Sequence, residues 1–302
     1  MRNNTIISNK TAICYSGFRD GQRPGEKYPS YDEVKEDLLL LHNDWNYLRL
    51  YDCDYHAELV LKVIQDEKMN FQVMLGTYIE AELNNPACPW GGVYPEETLK
   101  KNKENNLKKI ERLIHLANKY PSIVIALSVG NEACVNWTDH LVSTESVAEY
   151  VRIVKKNASQ PVTFCDNYVP WITTMEEVAK EVDFISIHTY PIWEYKNIDT
   201  AMAFTIENLK AVSEKYPHKQ IVITEAGWTT KSNGRGINEC NASNELQKIY
   251  LEQLLKWSKE ENILVFVFEA FDENWKGSSD PNEPEKHWGI FYSNRTPKLY
   301  AK

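Results

Sequence analysis

The chain has 302 residues, 42% of them hydrophobic and 25% charged, an ordinary globular balance with enough apolar material for a large core. A net charge of −9, with an isoelectric point near 5.4, disfavours a polyanionic partner, so nucleic acid is not expected. No stretch reaches the ~18 apolar residues that a spanning helix needs, so no membrane span is expected either.

The first ten residues, MRNNTIISNK, lack an apolar run followed by a small-residue cleavage site. The expectation is a cytoplasmic chain, or a periplasmic or secreted one if an export segment has been removed. Beyond them, short apolar runs rich in β-branched and aromatic residues recur along the sequence. They are TAICYSGF (11–18), NYLRLYDC (46–53), FQVMLGTY (71–78), SIVIALSV (122–129), PVTFCDN (161–167), VDFISIHTY (182–190), QIVITEAG (220–227) and ILVFVFEA (263–270). Runs of this length with little polar alternation fit strands buried on both faces of a parallel sheet.

Helical patterns lie between them. YDEVKEDLLLLHND (31–44) follows a Ser30–Glu33 capping box. The stretch 95–120 opens with Pro95 and acidic residues and closes basic, as the helix dipole favours. TAMAFTIENLKAVSEKY (200–216) precedes Pro217, and the stretch 244–262 starts after Ser243, a plausible cap.

Strand alternating with helix about eight times predicts a parallel α/β fold. Polar residues cluster after nearly every strand, and no Gly-x-Gly-x-x-Gly or P-loop follows the first. A (β/α)8 TIM barrel gathers all those loops at one mouth, whereas an open sheet splits them across a crevice. No linker-like or low-complexity tract interrupts the chain, so residues 1–302 are predicted to form a single catalytic barrel domain.

Six cysteines, at 14, 53, 88, 134, 165 and 240, are scattered without a CxxC pair, and Cys14, Cys134 and Cys165 fall in or just after strand runs. They read as structural thiols. The seven histidines show no metal-ligand spacing, so neither a metal nor a cofactor is expected. Nine Trp and seventeen Tyr are more unusual. Trp90, Trp137, Trp193, Trp228 and Trp275 fall in predicted loops after strands, where flat rings suit the apolar faces of sugars.

Two strand ends carry the chemistry. The fourth run leads into Gly130-Asn131-Glu132 and the seventh into Thr224-Glu225-Ala226-Gly227-Trp228. Each places a carboxylate at the predicted mouth. Glycosidic bond cleavage needs one carboxyl group to protonate the leaving oxygen and a second to attack the anomeric carbon or activate water. Asn131 offers an amide suited to a sugar hydroxyl. Trp228, three residues past Glu225, is either a wall of the sugar pocket or ordinary packing under a loop. After the eighth strand, Glu269, Asp272, Glu273, Lys276, Glu285 and Lys286 crowd together. They are either a solvated surface or a pocket lining, with Trp275 as a stacking platform.

Taken together these segments resemble glycoside hydrolase family seventeen, barrel enzymes acting on β-1,3-glucans and related mixed-linkage glucans. The likeness rests on AICY (12–15), RLYD (49–52), VMLG (73–76), VGNE (129–132), TEAGW (224–228), FDENWK (271–276), EKHWGIF (285–291) and Pro297-Lys298. It implies Glu132 as acid/base and Glu225 as nucleophile, with a covalent glycosyl-enzyme and retention of configuration. It also implies that Tyr190, Glu273 and Lys276 belong to the site, and Tyr51 and Asn131 join them as sugar contacts. The implied partner is a β-glucan such as laminarin, cleaved at internal β-1,3 bonds. A glucanosyltransferase using the same glutamates is the alternative, and a non-catalytic sugar-binding barrel the remote one. Glu269-Ala270 and Trp275 resemble bacterial and fungal members more than plant ones. The segment 84–94 (NNPACPWGGVY) and Trp193-Glu194 are expected to reshape the subsites. Oligomeric state leaves no mark in the sequence.

Overall fold

A computed structural model describes residues 6–302. The first half of the N-terminal stretch lies outside the described residues. Eight parallel strands close on themselves in sequence order: β1 (Ala12–Cys14), β2 (Tyr47–Leu50), β3 (Gln72–Gly76), β4 (Val124–Asn131), β5 (Val162–Asn167), β6 (Ile185–His188), β7 (Ile221–Ala226) and β8 (Val265–Val267). Ala12 pairs with Tyr47 of β2 on one side and with Phe266 of β8 on the other, which completes the ring. The structure is thus a (β/α)8 barrel.

Every strand is almost wholly buried, as unbroken apolar runs between a packed barrel interior and a shell of helices require. Most strands are shorter than their apolar runs, because the last residues of several runs leave the ladder and turn into the mouth. Tyr15 to Phe18, beyond β1, and Thr189 and Tyr190, beyond β6, behave this way.

The helices form where their caps dictate. In α1 (Tyr31–Leu41) the Ser30 side chain accepts from the Glu33 amide while the Glu33 carboxylate accepts from the Ser30 amide at 2.7 Å, so the expected capping box is present. Pro95 stands at the N-cap position of α3 (Glu96–Lys119), and Ser243 caps α8 (Asn244–Glu261) by accepting from Leu246 N at 3.1 Å. Helix α7 (Ile198–Lys215) starts two residues before its predicted bound, at an Asn197 cap. Four helices had not been expected: α2 (Tyr55–Asp66), capped by Asp54, α4 (Thr144–Asn157), capped by Ser143, and the short α5 (Tyr168–Thr173) and α6 (Glu176–Glu181) between β5 and β6. Among the described residues no helix is long and apolar enough to cross a membrane.

All six cysteines are unpaired; Cys14, Cys53, Cys88 and Cys165 are buried, Cys134 is half-buried and Cys240 is exposed. The thiol reading therefore holds for the barrel cysteines and not for Cys240.

The chain after β8 is locked to the barrel by buried ions. Asp37 of α1, fully buried, accepts from Arg295 at 2.6 and 2.7 Å, from Arg19 at 2.9 Å and from the Tyr15 hydroxyl at 3.1 Å. Lys298 meets Asp272 at 2.6 Å and Thr230 at 2.8 Å. These contacts hold residues 271–300, which carry the strand-eight cluster, against the mouth. Removing one partner of a buried ion pair strands the other without solvent, typically at about 3–5 kcal/mol. Asp37→Ala is therefore expected to lose about 3–5 kcal/mol of unfolding free energy in urea. A loss below about 1 kcal/mol would mean the pair behaves like an exposed one.

Candidate active site

The barrel brings Glu132 and Glu225 to the same mouth from opposite sides. Glu225 lies within β7, with 6% of its side chain exposed. Glu132 directly follows β4 and takes a left-handed backbone, φ 46°, a conformation that non-glycine residues seldom hold without surrounding support. Its amide donates to Cys165 O at 2.9 Å, and the β4–β5 register shifts between Ser128 and Asn131. That local break bends the strand end and turns the Glu132 side chain into the opening. One carboxylate oxygen of each glutamate and one ring nitrogen of His188 all lie within 4.8 Å of one another.

The surroundings of Glu225 are cationic. Arg49 of β2, 2% exposed, contacts Oε1 of Glu225, and the Tyr190 hydroxyl donates to Oε2. His188, at the end of β6, sets Nε2 at 3.5 Å from the same Oε1 and Nδ1 at 2.9 Å from Glu132 Oε1. Burial alone would raise the pKa of Glu225. The charges of His188 and Arg49, together with hydrogen bonds from Tyr190 and Arg49, outweigh burial and hold the carboxyl below its usual range. His188 is affected in the opposite sense: burial opposes its charge, yet Glu225, Cys165 and Glu132 push it up to about 10.

Arg49 also organises its neighbours. Its other terminal nitrogen holds Asn131 Oδ1, and it donates to the Tyr51 hydroxyl at 3.2 Å with the guanidinium over the Tyr51 ring. With Oδ1 so occupied, the Asn131 amide nitrogen has no hydrogen bond to a described residue and remains available to a ligand. Tyr190 packs its ring edge-on against Phe268 and Trp288, at centroid distances of 5.6 and 5.1 Å.

The strand-eight cluster is largely buried rather than a solvated surface. Glu269 and Glu273 are buried, and Lys276 bridges them at 2.7 and 2.6 Å. Glu273 also accepts from Ser16 at 2.6 Å and from the indole of Trp275 at 2.8 Å. Burial works against the Lys276 charge, but the two carboxylates raise its pKa and keep it cationic. Glu285 reaches the same region. Crowding by protein atoms pushes its carboxyl up to about 7, with Lys276 opposing and Glu132 and Glu225 adding to the rise.

Of the expected residues, Tyr51, Asn131, Glu132, Tyr190, Glu225, Glu273 and Lys276 converge at this mouth, with Trp275, 36% exposed, at its edge. Trp228 does not join them. It is fully buried, its indole donates to Asn241 O at 2.7 Å, and its ring packs on Tyr250, so the pocket-wall reading is corrected to packing under a loop. The cause is Gly227: a Cβ there would stand 2.0 Å from Phe268 O, and this close approach carries the chain down behind β8. Arg49, His188, Glu285 and Ser16 were not assigned roles from sequence. Arg49 and His188 each sit two residues before an assigned tyrosine, inside an apolar run where a charge is costly, and that was the available signal.

Among the described residues, Glu132, His188 and Glu225 are also the ligand-type side chains grouped closely enough to share an ion. Arg49 on Glu225 and His188 on Glu132 already occupy the oxygens that would bind it. The trio is joined by ion pairs, His188 to Glu132 at 2.9 Å and to Glu225 at 3.5 Å.

Tyr190→Phe keeps the ring contacts and removes one hydrogen bond to an anion. It is expected to raise the Glu225 pKa by about one unit, so that the acid limb of the pH–rate profile moves upward. An unmoved limb would contradict this assignment of the hydrogen bond.

The sequence profile of the BtgE/BtgC glycoside hydrolase domain matches residues 12–289. A curated glucan 1,3-beta-glucosidase of Schizosaccharomyces pombe is 25% identical over 283 residues, covering 88% of this chain and 79% of its own. Among solved structures, an endo-laminarinase from Formosa Hel1_33_131 superposes with a TM-score of 0.85 at 27% identity, over 99% of this chain and 88% of that one. A glycoside hydrolase family 17 beta-1,3-glucanosyltransferase from Rhizomucor miehei gives 0.74 at 25% identity, over 96% and 95%. The chain belongs to the BtgE/BtgC glycoside hydrolase domain family, within glycoside hydrolase family 17.

Proposed function

We propose that this enzyme is a retaining, endo-acting β-1,3-glucanase working through a covalent glycosyl-enzyme. The observation that carries the reading is the approach of the Glu132 and Glu225 oxygens to within 4.8 Å. Retaining glycosidases hold their carboxyl pair at about 5–5.5 Å, whereas inverting ones leave about 6.5–9.5 Å for an intervening water. The environments divide the labour. Glu225, ionised between two cations, suits the nucleophile. Glu132, 28% exposed, suits the group that exchanges protons with the leaving and incoming oxygens.

The substrate class follows from the β-1,3-glucan activities of the relatives and from the aromatic lining. Because Glu132 serves the leaving group, the aglycone side lies toward β4. The glycone side then lies across the ring toward β8, β1 and β2. There Trp275, Phe18, Tyr28 and Tyr55 form a chain of ring contacts, with centroids 5.4–6.1 Å apart, running outward to a 59% exposed Tyr55. On the other side Tyr78 stacks on His140 at 4.7 Å. Open aromatic surfaces on both sides favour binding within a chain over binding at its end.

A second reading, glucanosyl transfer, is favoured by one feature. The loop holding the 66% exposed Trp90 is stapled to the loop after Glu132, Asn85 donating to Asn136 O and Thr138 O at 2.9 and 2.7 Å and Tyr94 to Asp139 O at 2.9 Å. That staple puts a sugar platform on the side where an acceptor must arrive.

Incubation with laminarin, lichenan, carboxymethyl cellulose and mannan separates the readings. Internal cleavage of laminarin with a ladder of shorter oligosaccharides is expected. Products longer than the starting oligosaccharide would replace hydrolysis by transfer, and cleavage of only the last two polymers would overturn the substrate class. Glu225→Ala is expected to lower laminarin turnover by at least about four orders of magnitude, and full retained activity would remove its catalytic role.

A further inference from the structure

His188 is fully buried, and it touches both glutamates. Nδ1 is hydrogen-bonded to Glu132, while Nε2, 3.5 Å from Glu225 Oε1, has no hydrogen-bond partner. A buried nitrogen left this way normally costs stability, so its placement calls for a reason. The double displacement proposed above, on which the inference rests, supplies one.

We propose that His188 is a permanent imidazolium that serves as counter-ion to whichever of the two glutamates is anionic. It is a positioning residue for both halves of the reaction. Before reaction Glu225 is the anion and Glu132 carries the proton. As a Glu225 oxygen bonds to the anomeric carbon, the glycosidic C–O bond breaks and the Glu132 proton passes to the leaving oxygen. Glu225 is then a neutral ester and Glu132 the anion. In the second half the incoming water or sugar hydroxyl bonds to the anomeric carbon and returns its proton to Glu132, and the ester bond breaks. One negative charge has moved from β7 to β4 and back. His188 gains and loses no proton, and its two nitrogens face the two places where that charge resides.

Arg49 cannot replace it, because Arg49 meets Glu225 and Asn131 but has no recorded contact with Glu132. The other ionisable groups around this point are Cys165 and Asp166 of β5, the Tyr190 hydroxyl on Glu225, and Glu285, whose carboxyl the two glutamates help to raise. Cys165 favours the charge on the imidazole, and Asp166 is buried beside Glu132, accepting from the Cys134 amide at 3.0 Å. Burial, with Glu132 beside it, pushes the Asp166 carboxyl well above its usual range, so the geometry leaves His188 as the cation that contacts Glu132. The elevated pKa of His188 agrees with a charge that persists through neutral pH.

The test is His188→Gln, which keeps a hydrogen-bonding side chain and removes the charge. On an activated aryl laminarioside, for which breakdown of the intermediate limits kcat, kcat/KM reports Glu225 in the free enzyme and kcat reports Glu132 in the glycosyl-enzyme. Both acid limbs are expected to move to higher pH, by about one unit or more. Lower rates with both limbs unmoved, or movement of only one, would overturn the proposal. Should the variant fail to fold, nitrogen-15 spectra of the wild-type histidines decide. His188 is expected to be doubly protonated at pH 8, both free and after trapping with a 2-deoxy-2-fluoro donor, and a neutral ring in either state refutes the inference. The anomeric configuration of the wild-type product is read separately. Inversion would remove the double displacement itself, whereas retention with a neutral His188 removes only this step.

Discussion

Glu225 stands at the end of a buried strand with 6% of its side chain open to solvent, and it has to stay ionised there. An isolated carboxylate in such a place would cost several kcal/mol of lost hydration or simply take up a proton. The barrel avoids both by spending two of its interior positions on cations. Arg49 comes from β2 and His188 from β6, and Tyr190 closes the third direction. Each of these needs its own partners. Arg49 finds Asn131, Tyr51 and Thr224 O, while His188 finds Glu132. Keeping one anion in place thus fixes the orientation of nearly every polar group in the mouth.

The strand-eight segment repeats the same solution with signs exchanged. There a buried lysine, Lys276, is neutralised by Glu269 and Glu273, and Glu273 is tied to β1 through Ser16 and to the rim through Trp275. Behind it, the Asp37–Arg295 pair and the hydrogen bond from Lys298 to Thr230 anchor the segment to the body of the protein, and Asp272–Lys298 ties its two ends together. Charge is therefore distributed as small, internally balanced sets. A sugar entering the pocket meets oriented hydrogen-bond donors and acceptors with little reorganisation, the condition under which electrostatic stabilisation of a transition state is largest.

Much of this was legible in the sequence because the barrel requires long apolar runs on both faces of each strand, and such runs survive as a one-dimensional signal. The carboxylates at 132 and 225 were legible for the same reason, since one follows just after a run and the other lies near the end of one. Caps such as Ser30 and Ser243 act locally and were equally readable. Helices α2 and α4 went unread although Asp54 and Ser143 cap them in the same way. The roles of Arg49 and His188 were not readable, because they exist only where strands two, four, six and seven converge. Trp228 shows the opposite limit. Its spacing from Glu225 suggested the pocket, but the close pass of Gly227 against Phe268 carries it behind the sheet, and no local pattern announces such a contact.

The central claim is that Glu225 becomes covalently bound to the sugar while Glu132 handles the proton. Reaction of the wild-type enzyme with a 2-deoxy-2-fluoro-β-laminaribiosyl donor, followed by peptide mapping by mass spectrometry, tests it directly. The label is expected on Glu225, in stoichiometric amount, and it is expected to turn over when an acceptor is added. A label on another carboxylate, or an unlabelled enzyme whose product has inverted configuration, would contradict the mechanism.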